Sequence, residues 1–134
     1  MATVWTDGNG NFHEGDQQSG DRLATDAETA AWEASKVTLD TVQAECQRRL
    51  DLVVTLNQKL HMSGALISVL AGVVLNAQTA TPTQISNAAL YGQAMQWVAA
   101  MNAVVPTLVG NVDYADNSNW PVPSSALVAF VAQY

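Results

Sequence analysis

The hydrophobic positions of this chain change their period along its length. Val4, Trp5 and Thr6 are strand formers, Asp7-Gly8-Asn9-Gly10-Asn11 follows, and Phe12 and His13 begin a return strand. Asp-Gly and Asn-Gly pairs supply the positive φ angles of a tight turn, so a small β-hairpin is expected. Residues 14–20 are polar and glycine-containing and read as loop. Thr25-Asp26-Ala27-Glu28 has the capping-box pattern, which places a helix start near Thr25. From there an apolar residue recurs every seventh position: Trp32, Leu39, Cys46, Val53, Leu60, Ile67 and Val74. The companion series (Ser35, Val42, Arg49, Leu56, Ser63, Leu70, Ala77) is mixed, and no proline interrupts either. The pattern predicts one continuous helix of about fifty residues, or two broken near Gly64, with the seven apolar residues forming a seam on one face. That seam is expected to meet another helix, either in a bundle core of the same chain or across an intermolecular coiled coil.

The character of this helix changes along it. Before Lys59 it is amphipathic and charged. Residues 62–77 are apolar nearly all round, with Gly64 and Gly72 permitting close approach, and such a segment is expected to be buried on every face. Thr81-Pro82-Thr83-Gln84 is a second capping box with proline at the first helical position. A second helix should run from there to about Val105, with Pro106 ending or kinking it. Residues 110–123 read as loop, and a last short helix is expected over residues 124–133, with Leu127, Phe130 and Val131 as its docking edge.

Charge sharpens this picture. Among 134 residues, 12 are acidic and 5 basic, a formal net charge of −7, and Lys59 is the last basic residue. From His61 to Tyr134 the only charged side chains are Asp113 and Asp116. A stretch so poor in charge is expected to hide in a core, a membrane or a permanent assembly. The acidic balance argues against nucleic acid and against an anionic membrane surface. Cys46 is alone, so no internal disulfide can form and a reducing compartment fits. No secretory signal is expected at the N-terminus. A two-span membrane protein is the weaker reading of the apolar half: residues 62–76 fall short of the roughly twenty a bilayer needs, and the second helix carries Gln84, Asn87, Gln93, Gln96 and Asn102.

No catalytic constellation emerges. The Asp7–Asn11 run lacks the sixth-position glycine and twelfth-position glutamate of a calcium loop, since Phe12 and Gln18 stand there. His13 and His61 have no ligand spacing with Cys46, so no metal and no cofactor are expected. Cys46 reads as an inert packing thiol on the seam. Asp26, Glu28 and Glu33 are explained by the dipole of the helix they open. Trp120, in Asn119-Trp120-Pro121, reads as an anchor for the C-terminal loop, with partner contact as the alternative. Trp5 and Phe12 are candidate partner-contact aromatics as well.

The opening resembles small bacteriophage tail proteins, those associated with tail fibres and the tail-fibre assembly class. The resemblance is carried by the aromatic hairpin from Val4 to Phe12, the polar link, and Leu23-Ala24-Thr25-Asp26-Ala27-Glu28 with Trp32 a turn later. The long apolar helix and the Asn119-Trp120-Pro121 tail are not features of that family. The resemblance implies a tail-associated structural or assembly role, no enzyme activity, and location in the virion after synthesis in the host cytoplasm.

The expected fold is therefore mainly α: a long helix pair, hairpin or bundle, oligomeric, with a small N-terminal β-hairpin and a short C-terminal helix. Its parts are residues 1–23 (hairpin and polar loop), 24–109 (helical hairpin) and 110–134 (loop and docking segment). The expected function is a non-enzymatic structural or adaptor subunit, a phage tail or tail-fibre attachment component that self-associates and contacts other virion or tail-fibre proteins. A tail-fibre assembly chaperone and a small two-span membrane protein are the alternatives. Leu60→Asp or Ile67→Asp is expected to abolish assembly or folding.

Overall fold

A computed structural model describes residues 2–134. The N-terminal hairpin forms as the turn chemistry dictates. Strand β1 (Val4–Thr6) pairs antiparallel with β2 (Phe12–Glu14), and Trp5 lies opposite His13. The Asp7 carboxylate organises the turn: Oδ1 accepts from the amides of Asn9 (2.7 Å) and Asn11 (3.2 Å), and Oδ2 from the Asn11 side chain (2.6 Å). Gly8 and Gly10 take φ of +79° and +96°, a region that suits glycine. A third strand absent from the sequence reading, β3 (Arg22–Leu23), adds to the free edge of β1, giving the order β2-β1-β3.

The expected continuous helix is three helices: α1 (Asp26–Ser35), α2 (Leu39–Val53) and α3 (Leu56–Leu75). The chain breaks at Lys36–Thr38 and at Val54–Thr55, and runs unbroken through Gly64. Threonine causes both breaks. Thr38 accepts from the Thr41 amide, and Thr55 accepts from the Gln58 amide while Gln58 reaches back to the Thr55 N–H. A side chain that satisfies free helix amides starts a new helix and so competes with continuing the old one. The buried Val54 adopts extended backbone between α2 and α3, and the buried Val37 accepts at its carbonyl from Gly110 N–H at 2.9 Å.

The two capping boxes read from the sequence are present, at Thr25/Glu28 and Thr81/Gln84. Helix α4 (Pro82–Leu108) runs past Pro106, beyond the expected end near Val105. The missing proline N–H falls in its last turn, where the helix stops two residues later in any case. A 3₁₀ turn, Asn117–Asn119, interrupts the loop, and α5 (Ser125–Val131) starts with Ser124 accepting from Leu127 N–H at 3.1 Å.

The core is built by α2 packed along the C-terminal half of α4, with α5 docked on α4. Val42, Cys46 and Leu50 repeat every fourth residue on the inner face of α2; Trp97, Met101, Val105 and Leu108 face them from α4. Leu127, Phe130 and Val131 close one side, as the sequence reading expected of the last helix. Trp120 is buried and donates its indole N–H to the Tyr114 carbonyl at 2.7 Å, which pins the C-terminal loop.

Candidate assembly surface

The seven seam residues do not share a face. Cys46 is buried, Trp32 and Val53 are half-buried, and Leu39, Leu60, Ile67 and Val74 are exposed. A seven-residue series keeps its phase only along one helix, and each of the two threonine breaks resets it. Buried positions on α2 instead follow Val42, which the sequence reading had placed in the companion series.

Residues 62–77 are likewise not buried on every face. Of α3, only Met62 is buried; Leu66 and Val69, on the same side, are half-buried. At 100° per residue these three positions point one way. Leu56, Leu60, Ile67 and Val74 fall more than a quarter-turn away, and they are 62–72% exposed. Gly64, Leu70 and Ala71 lie along the same stripe, while Ser63 at its edge turns toward Tyr91 of α4. The seven-residue periodicity is thus preserved from Leu60 to Val74, on a face that the described residues leave exposed.

The charge distribution isolates this face. All 12 acidic residues lie before Leu52 or after Val112. The body carries the ion pairs: Arg22 forks onto Glu28 (2.9 and 2.6 Å), Arg48 forks onto Glu45 (2.8 and 2.7 Å), and Lys36 reaches Glu33 (3.0 Å) and Glu14 (3.4 Å). The Arg22 fork and the Thr25 amide hold the Glu28 carboxyl down at about 2. Hairpin and helical body are tied further by Phe12 stacked on Trp32 at 6.2 Å, with the Lys36 ammonium 3.4 Å from the centre of the Trp32 ring. Trp5 donates to the Gly15 carbonyl at 2.7 Å. Two of the three candidate partner-contact aromatics, Phe12 and Trp5, are half-buried in these internal roles.

The other residues that the sequence singled out sit in structural surroundings. The Cys46 thiol is buried, 3.8 Å from Asn102 Oδ1, and burial raises its pKa away from the reactive thiolate. His13 Nε2 lies 2.6 Å from Asp21 Oδ2, a clip that closes the 15–21 loop; His61 is exposed on α3. No group of three or more His, Cys, Asp or Glu side chains among the described residues could hold a metal ion. The cleft between α3, α4 and α5, lined by Met62, Leu66, Gln84, Asn87 and Tyr91, holds about 50 Å³, well below the usual size of a small-molecule site. A larger space of about 300 Å³ beside Trp97 and Trp120 has Arg49 at its edge, but that guanidinium is already engaged by Glu45, Ala115 and Asn117.

Comparison with known proteins leaves this geometry to speak for itself: no protein family matches the chain, and neither a curated protein nor a solved structure does.

Proposed function

We propose that this protein is a non-enzymatic structural or adaptor subunit of a multiprotein assembly, a phage virion tail or tail-fibre attachment component. The observation that carries the reading is the uncharged stripe of α3, where Leu56, Leu60, Ile67 and Val74 stand exposed while a separate, well-packed core already holds the fold. Contiguous exposed apolar surface marks a place where something else docks. The phage assignment is supported by the N-terminal resemblance, through the Val4–Phe12 hairpin and the Thr25–Trp32 helix start. The acidic body would keep the subunit soluble and face outward, and α3 would face the assembly.

Counted over all its 20 residues, helix α3 has the length and mean hydropathy of a membrane span. Asn57, Gln58, Lys59 and His61 occupy its first turns, and the apolar remainder spans only about 21 Å at 1.5 Å per residue. A bilayer core is about 30 Å thick, so a protein partner is favoured.

The test is quantitative mass spectrometry of purified particles made from the genome that encodes the chain, with and without its gene. A fixed copy number in wild-type particles, and particles lacking attached fibres in the deletion, are expected. Fibre loss with the chain absent from wild-type particles would overturn the virion role in favour of an assembly chaperone. Recovery only in the detergent-soluble membrane fraction would overturn both.

A further inference from the structure

We infer that the exposed stripe of α3 binds the same stripe of a second copy, the two helices running antiparallel about a two-fold axis between Gly64 and Ile67. This rests on the assembly reading above and names the partner. Three observations carry it.

The first is shape. An antiparallel pair centred there sets Ile67 against Gly64 of the other copy and Leu60 against Ala71, with Leu56 and Val74 closing the two ends. The two central bulky side chains, Ile67 and Leu60, each meet a small one, twice over by the two-fold symmetry of an isologous contact. A Cβ built on Gly64 meets nothing within 4 Å, so the space above this glycine is open in the single chain and free to accept the partner's Ile67. A lipid surface would draw no benefit from alternating large and small positions.

The second is charge. Two chains of net charge −7 repel one another over most approaches. The span between residues 52 and 112 carries no acidic side chain, and Lys59 is its only formal charge. Identical surfaces meet there without the like-charge opposition that any contact through the acidic body would bring.

The third is extent. Helix α3 is about 30 Å long. The stripe and the neighbouring Leu75 and Ile85, exposed at the far end of the hairpin, put the contact at the low end of specific interfaces, below about 1,200 Å² in total. The pair is therefore a reversible dimer, which further subunits of an assembly would consolidate.

The experiment is analytical ultracentrifugation of the full chain from about 1 to 500 μM, a range chosen for contacts of this size. A monomer–dimer equilibrium is expected for the wild type. Gly64→Leu has room in the single chain and should keep or slightly raise its helical circular dichroism and thermal midpoint, yet weaken dimerisation at least tenfold; Ile67→Ala should weaken it similarly. Nitroxide labels at Asn57→Cys, in a Cys46→Ser background, should lie about 25 Å apart along the axis in the dimer, from the rise per residue. A wild-type monomer throughout the range, a Gly64→Leu dimer as tight as wild type, or labels in close contact (a parallel pair) would each overturn the antiparallel pairing. If the chain is nonetheless found in particles at fixed copy number, the assembly reading survives and the partner is another protein. If monomers float with neutral phosphatidylcholine vesicles and no dimer forms, both fail.

Discussion

The hydroxyls of Ser63 and Tyr91 lie 3.2 Å apart and tie α3 to α4. One residue away Met62 is buried in the core, whereas Ile67, a turn further on, is 65% exposed. The pair of helices α3 and α4 is thus fastened near the start of α3, with Gln58 adding a 3.2 Å bond to the Val131 carbonyl of α5. Beyond Ser63 it relies on the half-buried Leu66, Val69 and Leu90. Tyr91→Phe should destabilise the monomer by about 1 kcal/mol, the usual net value of one hydrogen bond. Hydrogen exchange should quicken along α3 but not along α2. Uniform acceleration over both helices would show that the hairpin does not open separately.

Core and stripe should respond oppositely to substitution. Met101 is 1% exposed within the core shared by α2, α4 and α5, so Met101→Ala should cost about 2–5 kcal/mol and lower the thermal midpoint sharply. Leu60→Asp should leave the monomer folded, because Leu60 is 62% exposed and a carboxylate there stays hydrated. The sequence expectation allowed loss of either folding or assembly; the exposure of Leu60 argues against loss of folding, and under the proposed assembly role the effect should appear in sedimentation. Circular dichroism against sedimentation separates the two; unfolding of Leu60→Asp would place that residue in a core the structure does not show.

Local signals were legible wherever they were sufficient by themselves. The Asp7–Asn11 turn, the Thr25 and Thr81 capping boxes and the docking edge of the last helix all depend on residues within a few positions of one another. The helix breaks were equally local: Thr55-Leu56-Asn57-Gln58 carries the same capping-box pattern as Thr81-Pro82-Thr83-Gln84. The unbroken seven-residue series ran across it and hid it. A hydrophobic period reports a face only if the helix is continuous, and α2 and α3 have different inner faces. Strand β3 had no comparable signal, since Arg22 and Leu23 join the sheet only through the free edge of β1. The exposure of α3 was not readable either. Apolar composition says that a segment should be covered and is silent on whether its own chain covers it.

Acid and base should loosen the two ends of the His13–Asp21 clip in turn. The Asp21 carboxylate raises the His13 pKa above its ordinary 6.5, and His13 in return lowers that of Asp21 below 3.8. For a raised histidine the stabilisation is complete below its unfolded value and disappears as pH rises through the folded one. For a lowered carboxylate it is present above the unfolded value and disappears as pH falls through the folded one. The charged clip is therefore fully formed between about pH 4 and 6.5, from those ordinary values. An NMR titration should give a His13 midpoint above 6.5 that returns to the ordinary range in Asp21→Asn. A His13 midpoint left unchanged by Asp21→Asn would show that this carboxylate does not hold the imidazole.

Arg49 gathers segments distant in sequence. Its Nε donates to Glu45 Oε1 at 2.6 Å, Nη1 to Asn117 Oδ1 at 2.9 Å and Nη2 to the Ala115 carbonyl at 2.6 Å, while the guanidinium lies 5.3 Å from the centre of the Trp120 ring. The planar fork makes all four contacts at once, and a lysine ammonium cannot reproduce that geometry. Arg49→Lys should therefore destabilise the fold by about 1.5–3 kcal/mol, the range for hydrogen bonds to a charged group. The loss should appear first in the loop that carries the 3₁₀ turn, because α2 retains Val42, Cys46 and Leu50 against α4. Tryptophan fluorescence should shift to the red at a lower urea concentration than the loss of helical circular dichroism, as Trp120 becomes wet before α2 unwinds. Coincident transitions would show that the loop and the α2–α4 core unfold as one unit, with Arg49 as part of that single unit.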